Sequence, residues 1–184
     1  MRFEQLKIFV FLFFSLLLIF INGCASPNTT YVRLKDIKGD IELTEKTPLM
    51  KASQFGDLKK IHEFVKKGAD VNAKNEAIDL MTPLHYATAG GYVDIARLLL
   101  ENDADANAIT DILWTPLHYA ALNGDIDLAS LLKKNNAAIN ARDAELLSPL
   151  YYAVFNHHHA LARQLIKAGA NVYENNISID GFSR

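Results

Sequence analysis

The sequence predicts an all-α fold, a solenoid of helix-turn-helix units joined by short hairpin fingers. Three observations carry that prediction. A six-residue segment recurs four times, at Thr47, Thr82, Thr115 and Ser148, with spacings of 35, 33 and 33 residues. A glycine stands nine residues after each of the first three starts, at Gly56, Gly91 and Gly124. A second short signature closes each unit: Gly68-Ala69-Asp70-Val71-Asn72, Ala104-Asp105-Ala106-Asn107, Ala137-Ala138-Ile139-Asn140 and Gly169-Ala170-Asn171-Val172. A fixed period of this length is the mark of stacked repeats.

Each unit opens with a helix start. The copies read Thr47-Pro48-Leu49-Met50-Lys51-Ala52, Thr82-Pro83-Leu84-His85-Tyr86-Ala87, Thr115-Pro116-Leu117-His118-Tyr119-Ala120 and Ser148-Pro149-Leu150-Tyr151-Tyr152-Ala153. A Thr or Ser hydroxyl caps free backbone N–H groups, and Pro at the first helical position has no N–H to leave unpaired. The Leu and Ala then share one helical face. The small Ala lets a second helix approach, and the glycines suit the left-handed turn between antiparallel helices. A second helix follows with an apolar stripe, as in Ile95-Ala96-Arg97-Leu98-Leu99-Leu100 and Leu128-Ala129-Ser130-Leu131-Leu132. Such a unit cannot bury its own faces, so stacking must make the core.

These motifs resemble the ankyrin repeat, whose hallmark is Thr-Pro-Leu-His-x-Ala and whose period is 33. The resemblance implies four repeats over residues 47–180, at about 47–79, 82–112, 115–145 and 148–178. Sixteen residues after each start, the inner repeats carry Leu98 and Leu131 while the outer ones carry Glu63 and Gln164. Polar residues there read as caps on both ends of the array. Asp180-Gly181-Phe182-Ser183 resembles the turn into a further repeat and is expected to pack back on the fourth. Leu34, Ile37, Ile41 and Leu43 are expected to supply a short cap over the first.

The N-terminus reads as an export signal over residues 1–23. Arg2 and Lys7 precede an apolar run from Ile8 to Ile21, broken only by Ser15. That run has the length of a signal-peptide core and falls short of the roughly 20 residues that span a bilayer. The single cysteine follows at once, in Ile21-Asn22-Gly23-Cys24, which resembles the lipobox of bacterial lipoproteins, with Asn22 departing from the usual small residue. The resemblance implies cleavage before Cys24, diacylglycerol on its sulfur and a further acyl chain on the new N-terminus. Two or three chains would anchor the protein where one holds only marginally. Residues 24–46 then form a lipidated tether and N-terminal cap, beginning with the small, polar stretch Ala25 to Thr30. In a Gram-negative cell Ala25 favours the periplasmic face of the outer membrane.

A formal net charge of −2, with cations spread along the chain, excludes the basic stripe of a nucleic-acid binder. Catalysis is not expected, nor is a cofactor. With Cys24 lipidated no nucleophilic thiol remains, and there is no Gly-x-Ser-x-Gly, no His-Glu-x-x-His and no phosphate-binding Gly loop. Asp125 and Asp127 complement a helix N-terminus. His157-His158-His159 suggests a metal tract, but adjacent residues do not share a helical face, so no metal is expected. His157 instead occupies the inter-helix turn position that glycine holds elsewhere. The resemblance assigns His85 and His118 to hydrogen bonds with the capping Thr82 and Thr115.

What remains is binding. In the family, partners are gripped by the fingers and the exposed side of the first helices. Here the fingers carry Leu80, Leu113 and Leu146 where the family prefers Gly, followed by Met81, Trp114 and Leu147. Leu does not readily adopt positive φ, so these turns are expected to depart from the usual geometry. The longer first spacing places two extra residues near 76–80. The expected protein-binding surface comprises Met81, Tyr86, Ile112, Leu113, Trp114, Tyr119, Leu122, Leu147, Tyr152 and Phe155, since aromatic anchors dominate interfaces. For the three tyrosines, packing between repeats is an equal alternative. The leading expectation is a monomeric, membrane-tethered scaffold binding a protein in the bacterial envelope. A structural lipoprotein on cell-wall polymer and a secreted effector binding host proteins are the alternatives.

Overall fold

The computed structural model describes residues 46–76 and 78–172. The signal segment, Cys24, the tether, the proposed cap at Leu34 to Leu43 and the tail at Asp180 to Ser183 lie outside the described residues. Among the described residues there are eight helices: α1 Pro48–Gln54, α2 Leu58–Lys66, α3 Pro83–Ala89, α4 Val93–Leu100, α5 Pro116–Asn123, α6 Ile126–Lys134, α7 Pro149–Phe155 and α8 His159–Lys167. They are 7 to 9 residues long, too short to persist alone in water. Tertiary contact holds them. α1, α3, α5 and α7 stack in one layer, and α2, α4, α6 and α8 stack in a second behind it. None is long and apolar enough to cross a membrane.

The starts behave as the sequence predicts. Thr47 Oγ1 accepts from Met50 N at 3.2 Å and Ser148 Oγ from Tyr151 N at 3.4 Å, with Pro in the first turn of each helix. Leu49, Leu84, Leu117 and Leu150 form a buried row through the first layer, with Ala52, Ala87, Ala120 and Ala153 beside them. Ile95, Leu128 and Leu161, with Leu99, Leu132 and Leu165, continue the core from the second layer. The end positions are polar as expected. Glu63 is exposed and pairs with Lys67, and Gln164 donates to Ser130 Oγ, while Leu98 is half-buried and Leu131 buried.

Gly56, Gly91 and Gly124 have φ of 74°, 74° and 73°. At Gly56 and Gly124 the need is double, because a Cβ would stand 2.7 Å from the Tyr92 ring and 2.5 Å from the His158 ring. His157 takes the same conformation in the fourth unit, with φ 61°.

The closing signatures fasten one unit to the next. Asn72 donates to Asp103 O at 2.9 Å and accepts from Asp105 N at 2.8 Å. Asn107 bonds Asn136 O and Ala138 N in the same way, and Asn140 bonds Gly169 O and Asn171 N. Each asparagine thus satisfies one carbonyl and one N–H of the following unit. Tyr173 stands at the equivalent place in the fourth copy.

Candidate functional site

The fingers are hairpins closed by backbone hydrogen bonds. In the second, Thr110 N donates to Trp114 O and Leu113 N to Thr110 O, both at 3.0 Å, while Trp114 N reaches Thr110 Oγ1 at 3.0 Å. The third repeats the pattern, with Asp143 N to Leu147 O at 3.1 Å, Leu146 N to Asp143 O at 3.0 Å and Leu147 N to Asp143 Oδ1 at 2.8 Å. The first is closed by Asn75 N to Met81 O at 3.0 Å, and its loop holds the two residues that lengthen the first spacing. Successive fingers are joined at their tips: Asp111 N donates to Asp79 O at 3.2 Å and Ala144 N to Ile112 O at 3.1 Å.

Leu80, Leu113 and Leu146 have φ of 55°, 61° and 63°. The expectation that leucine would force another turn geometry is therefore corrected: the leucines themselves adopt the left-handed conformation. The physical reason is overdetermination. In the second and third fingers a three-residue hairpin loop is a turn followed by one left-handed residue, and the flanking hydrogen bonds hold that residue in place whatever its side chain. Leu113 and Leu146 are 42% and 62% exposed. The steric cost of the left-handed conformation is about 1–2 kcal/mol per residue.

Histidines fasten the first helices to the fingers. His85 Nδ1 accepts from Thr82 N at 3.1 Å, which leaves Nε2–H to donate to Trp114 O at 3.1 Å in the next finger. His118 does the same with Thr115 N at 3.0 Å and Leu147 O at 3.3 Å. The expected Thr–His bond is present in both, and its extension to the next finger is an addition that only the structure supplies. Burial lowers the His85 pKa to about 4 and moves His118 in the same direction, so both rings are neutral.

The aromatic residues form a stack beneath the fingers. The Trp114 ring centroid lies 5.0 Å from Tyr119, 4.8 Å from Tyr152 and 5.9 Å from His118. Its indole N–H is buried and makes no well-formed hydrogen bond, though it lies near enough to the Tyr152 oxygen to oppose weakly the upward shift of that phenol. Asn75 donates to the Tyr86 phenol at 3.1 Å, and Tyr152 donates to buried Asp143. Burial pushes Tyr86 up to about 12 and raises Tyr119 and Tyr152 as well, so the phenols stay protonated.

This placement divides the expected surface. Met81 and Tyr86 are corrections: both are buried, in a cluster with Met50, and offer little area to a partner. Trp114, Tyr119, Leu122, Leu147 and Tyr152 are half-buried and serve packing at least in part. Ile112, Leu113 and Phe155 are exposed. The finger leucine Leu146, aligned with Leu113, is 62% exposed and belongs with them, and Ile78, which the sequence did not single out, is 70% exposed. Among the described residues no group of three or more His, Cys, Asp or Glu is placed to hold a metal. His158 is spent on packing, donating from Nε2 to Leu122 O at 3.0 Å.

Comparison with known proteins agrees with this architecture. The family model described as ankyrin repeats (3 copies) matches residues 15–110 and 109–176. The 2-5A-dependent ribonuclease of Mus musculus is 46% identical over 57 residues, which are 31% of this chain and 8% of that protein. Protein phosphatase 1 regulatory subunit 27 of Homo sapiens is 43% identical over 63 residues, 34% of this chain and 40% of that protein. The chain thus spans less than half the length of either relative.

Proposed function

This chain belongs to the ankyrin repeat family, and from that premise we propose that it is a lipid-tethered scaffold that grips a partner protein of the bacterial envelope with its finger row. Ankyrin repeats point to protein–protein interaction. The observation that supports the finger row is the set of three left-handed leucines. Each carries strain that glycine would relieve, and two of the three are exposed, where burial gives nothing back. Strain held at a surface is a mark of function. The tether rests on the cysteine at the end of the export-type segment, Ile21 to Cys24.

Two experiments test the parts separately. Protein captured from detergent extracts on the immobilised chain should be lost when Leu113 and Leu146 are both changed to Asp. Equal retention by the double variant defeats the finger reading. Cys24→Ser should move the protein from membrane to soluble fractions, and a variant that stays in the membrane rules out the lipid anchor.

A further inference from the structure

The finger row has a chemistry and a pitch that define the partner segment it fits. We infer that it binds a cationic amphipathic helix, an inference that rests on the finger reading above. Charge comes first. Exposed Ile78, Ile112, Leu113 and Leu146 are interleaved with the carboxylates of Glu76, Asp79, Asp111 and Glu145. The cations within the finger segments are Lys74 and Arg142, and Arg142 is already engaged, donating to Leu146 O at 2.8 Å. The row is therefore apolar and acidic together, complementary to a segment with apolar anchors flanked by Lys or Arg.

Pitch decides the conformation of that segment. Each finger has two legs, and the tip-to-tip bonds from Asp111 N to Asp79 O and from Ala144 N to Ile112 O set neighbouring legs side by side. Legs in hydrogen-bonding contact lie about 4.8 Å apart, so equivalent leucines on successive fingers repeat about every 10 Å. A helix returns to the same face after seven residues, about 10.5 Å along its axis. An extended chain presents same-face side chains about 6.7 Å apart and again at about 13 Å, and neither matches. The helix keeps register with exposed Leu113 and Leu146, and the strand does not.

The probe is a fluorescein-labelled helical peptide of about 21 residues with Leu at heptad a and d positions and Lys elsewhere. The full chain should bind it with an affinity that falls as salt rises, because exposed charges are screened. Leu146→Asp should weaken binding at least about tenfold, on the scale of an interface anchor. Glu145→Lys with Asp111→Lys should weaken it similarly and should improve binding of the matching Glu peptide. These surface variants leave the core untouched, and circular dichroism checks that they fold. Equal binding of the Lys and Glu peptides overturns the inference. So does equal binding of a peptide with Leu at alternate positions. If phosphatidylcholine vesicles bind in a Leu146-dependent way while no peptide does, the row seats on a membrane and the inference falls. If no probe binds but capture still depends on Leu113 and Leu146, the finger reading stands and the cationic-helix inference alone is refuted.

Discussion

The inter-helix turns and the fingers meet the same backbone requirement with opposite residues. Gly56, Gly91 and Gly124 take left-handed φ with no side chain, while Leu80, Leu113 and Leu146 take it with a large one. The turns at Gly56 and Gly124 face the next unit, where a Cβ would stand 2.7 Å from the Tyr92 ring and 2.5 Å from the His158 ring. The finger leucines Leu113 and Leu146 face outward and are exposed, and Leu80 is half-buried. Packing thus dictates glycine in one place and merely permits leucine in the other. That the permitted residue is a strained leucine in all three fingers, exposed in two of them, is what makes the finger row a surface rather than a connection.

The largest expected effect comes from breaking the turn side of this comparison. Gly124→Leu adds left-handed strain of about 1–2 kcal/mol and overpacks the His158 ring, for a total of about 4 kcal/mol. Gly68→Ala is the control, since φ is +80° there but nothing lies within 4 Å of the added Cβ, so about 1 kcal/mol is expected. Urea denaturation of both variants measures the difference. Equal losses would mean that strain alone, and not the neighbouring ring, selects glycine.

Acid should loosen the link between helices and fingers. His85 has a folded pKa near 4 against an ordinary value of 6.5, so between those values the unfolded state binds the extra proton. Stability therefore rises with pH across that window, is complete above about pH 6.5 and is lost progressively toward pH 4, by about 3 kcal/mol in total. His118 adds in the same direction. Urea midpoints at pH 7.5 and pH 5 read most of this change, and His85→Gln with His118→Gln should flatten the dependence. A slope unchanged in that double variant would remove the histidine clamps from the account.

The parts of the fold legible in the sequence are those set within one unit. Thr82-Pro83-Leu84 announces a helix start because cap, missing N–H and apolar face all act within a turn of the chain. Gly91 announces its turn for the same reason, and His157 could be placed there by register alone. What stayed hidden depends on the next unit. The double bond of Asn107 to Asn136 O and Ala138 N spans about thirty residues, and no local rule gives an asparagine that role. Met81 and Tyr86 looked like surface residues because their burial comes from Met50 in the preceding unit. The leucine turns go against intrinsic preference because the hairpin closure, a contact between two legs of the finger, overrides it.

The smallest expected effect is the sharpest on function. Leu146→Gly relieves left-handed strain and removes an exposed side chain that packs little, while adding unfolded-state entropy. The net should be stabilisation by about 0.5–1 kcal/mol. Binding should move the other way, because the apolar anchor is gone. A thermal melt and a titration with the cationic peptide on the same sample read both quantities. Opposite signs would show that leucine is held at this position against the interest of the fold. If stability also fell, Leu146 would belong to the packing of the finger, and the contrast with Gly124 would reduce to two ways of building a turn.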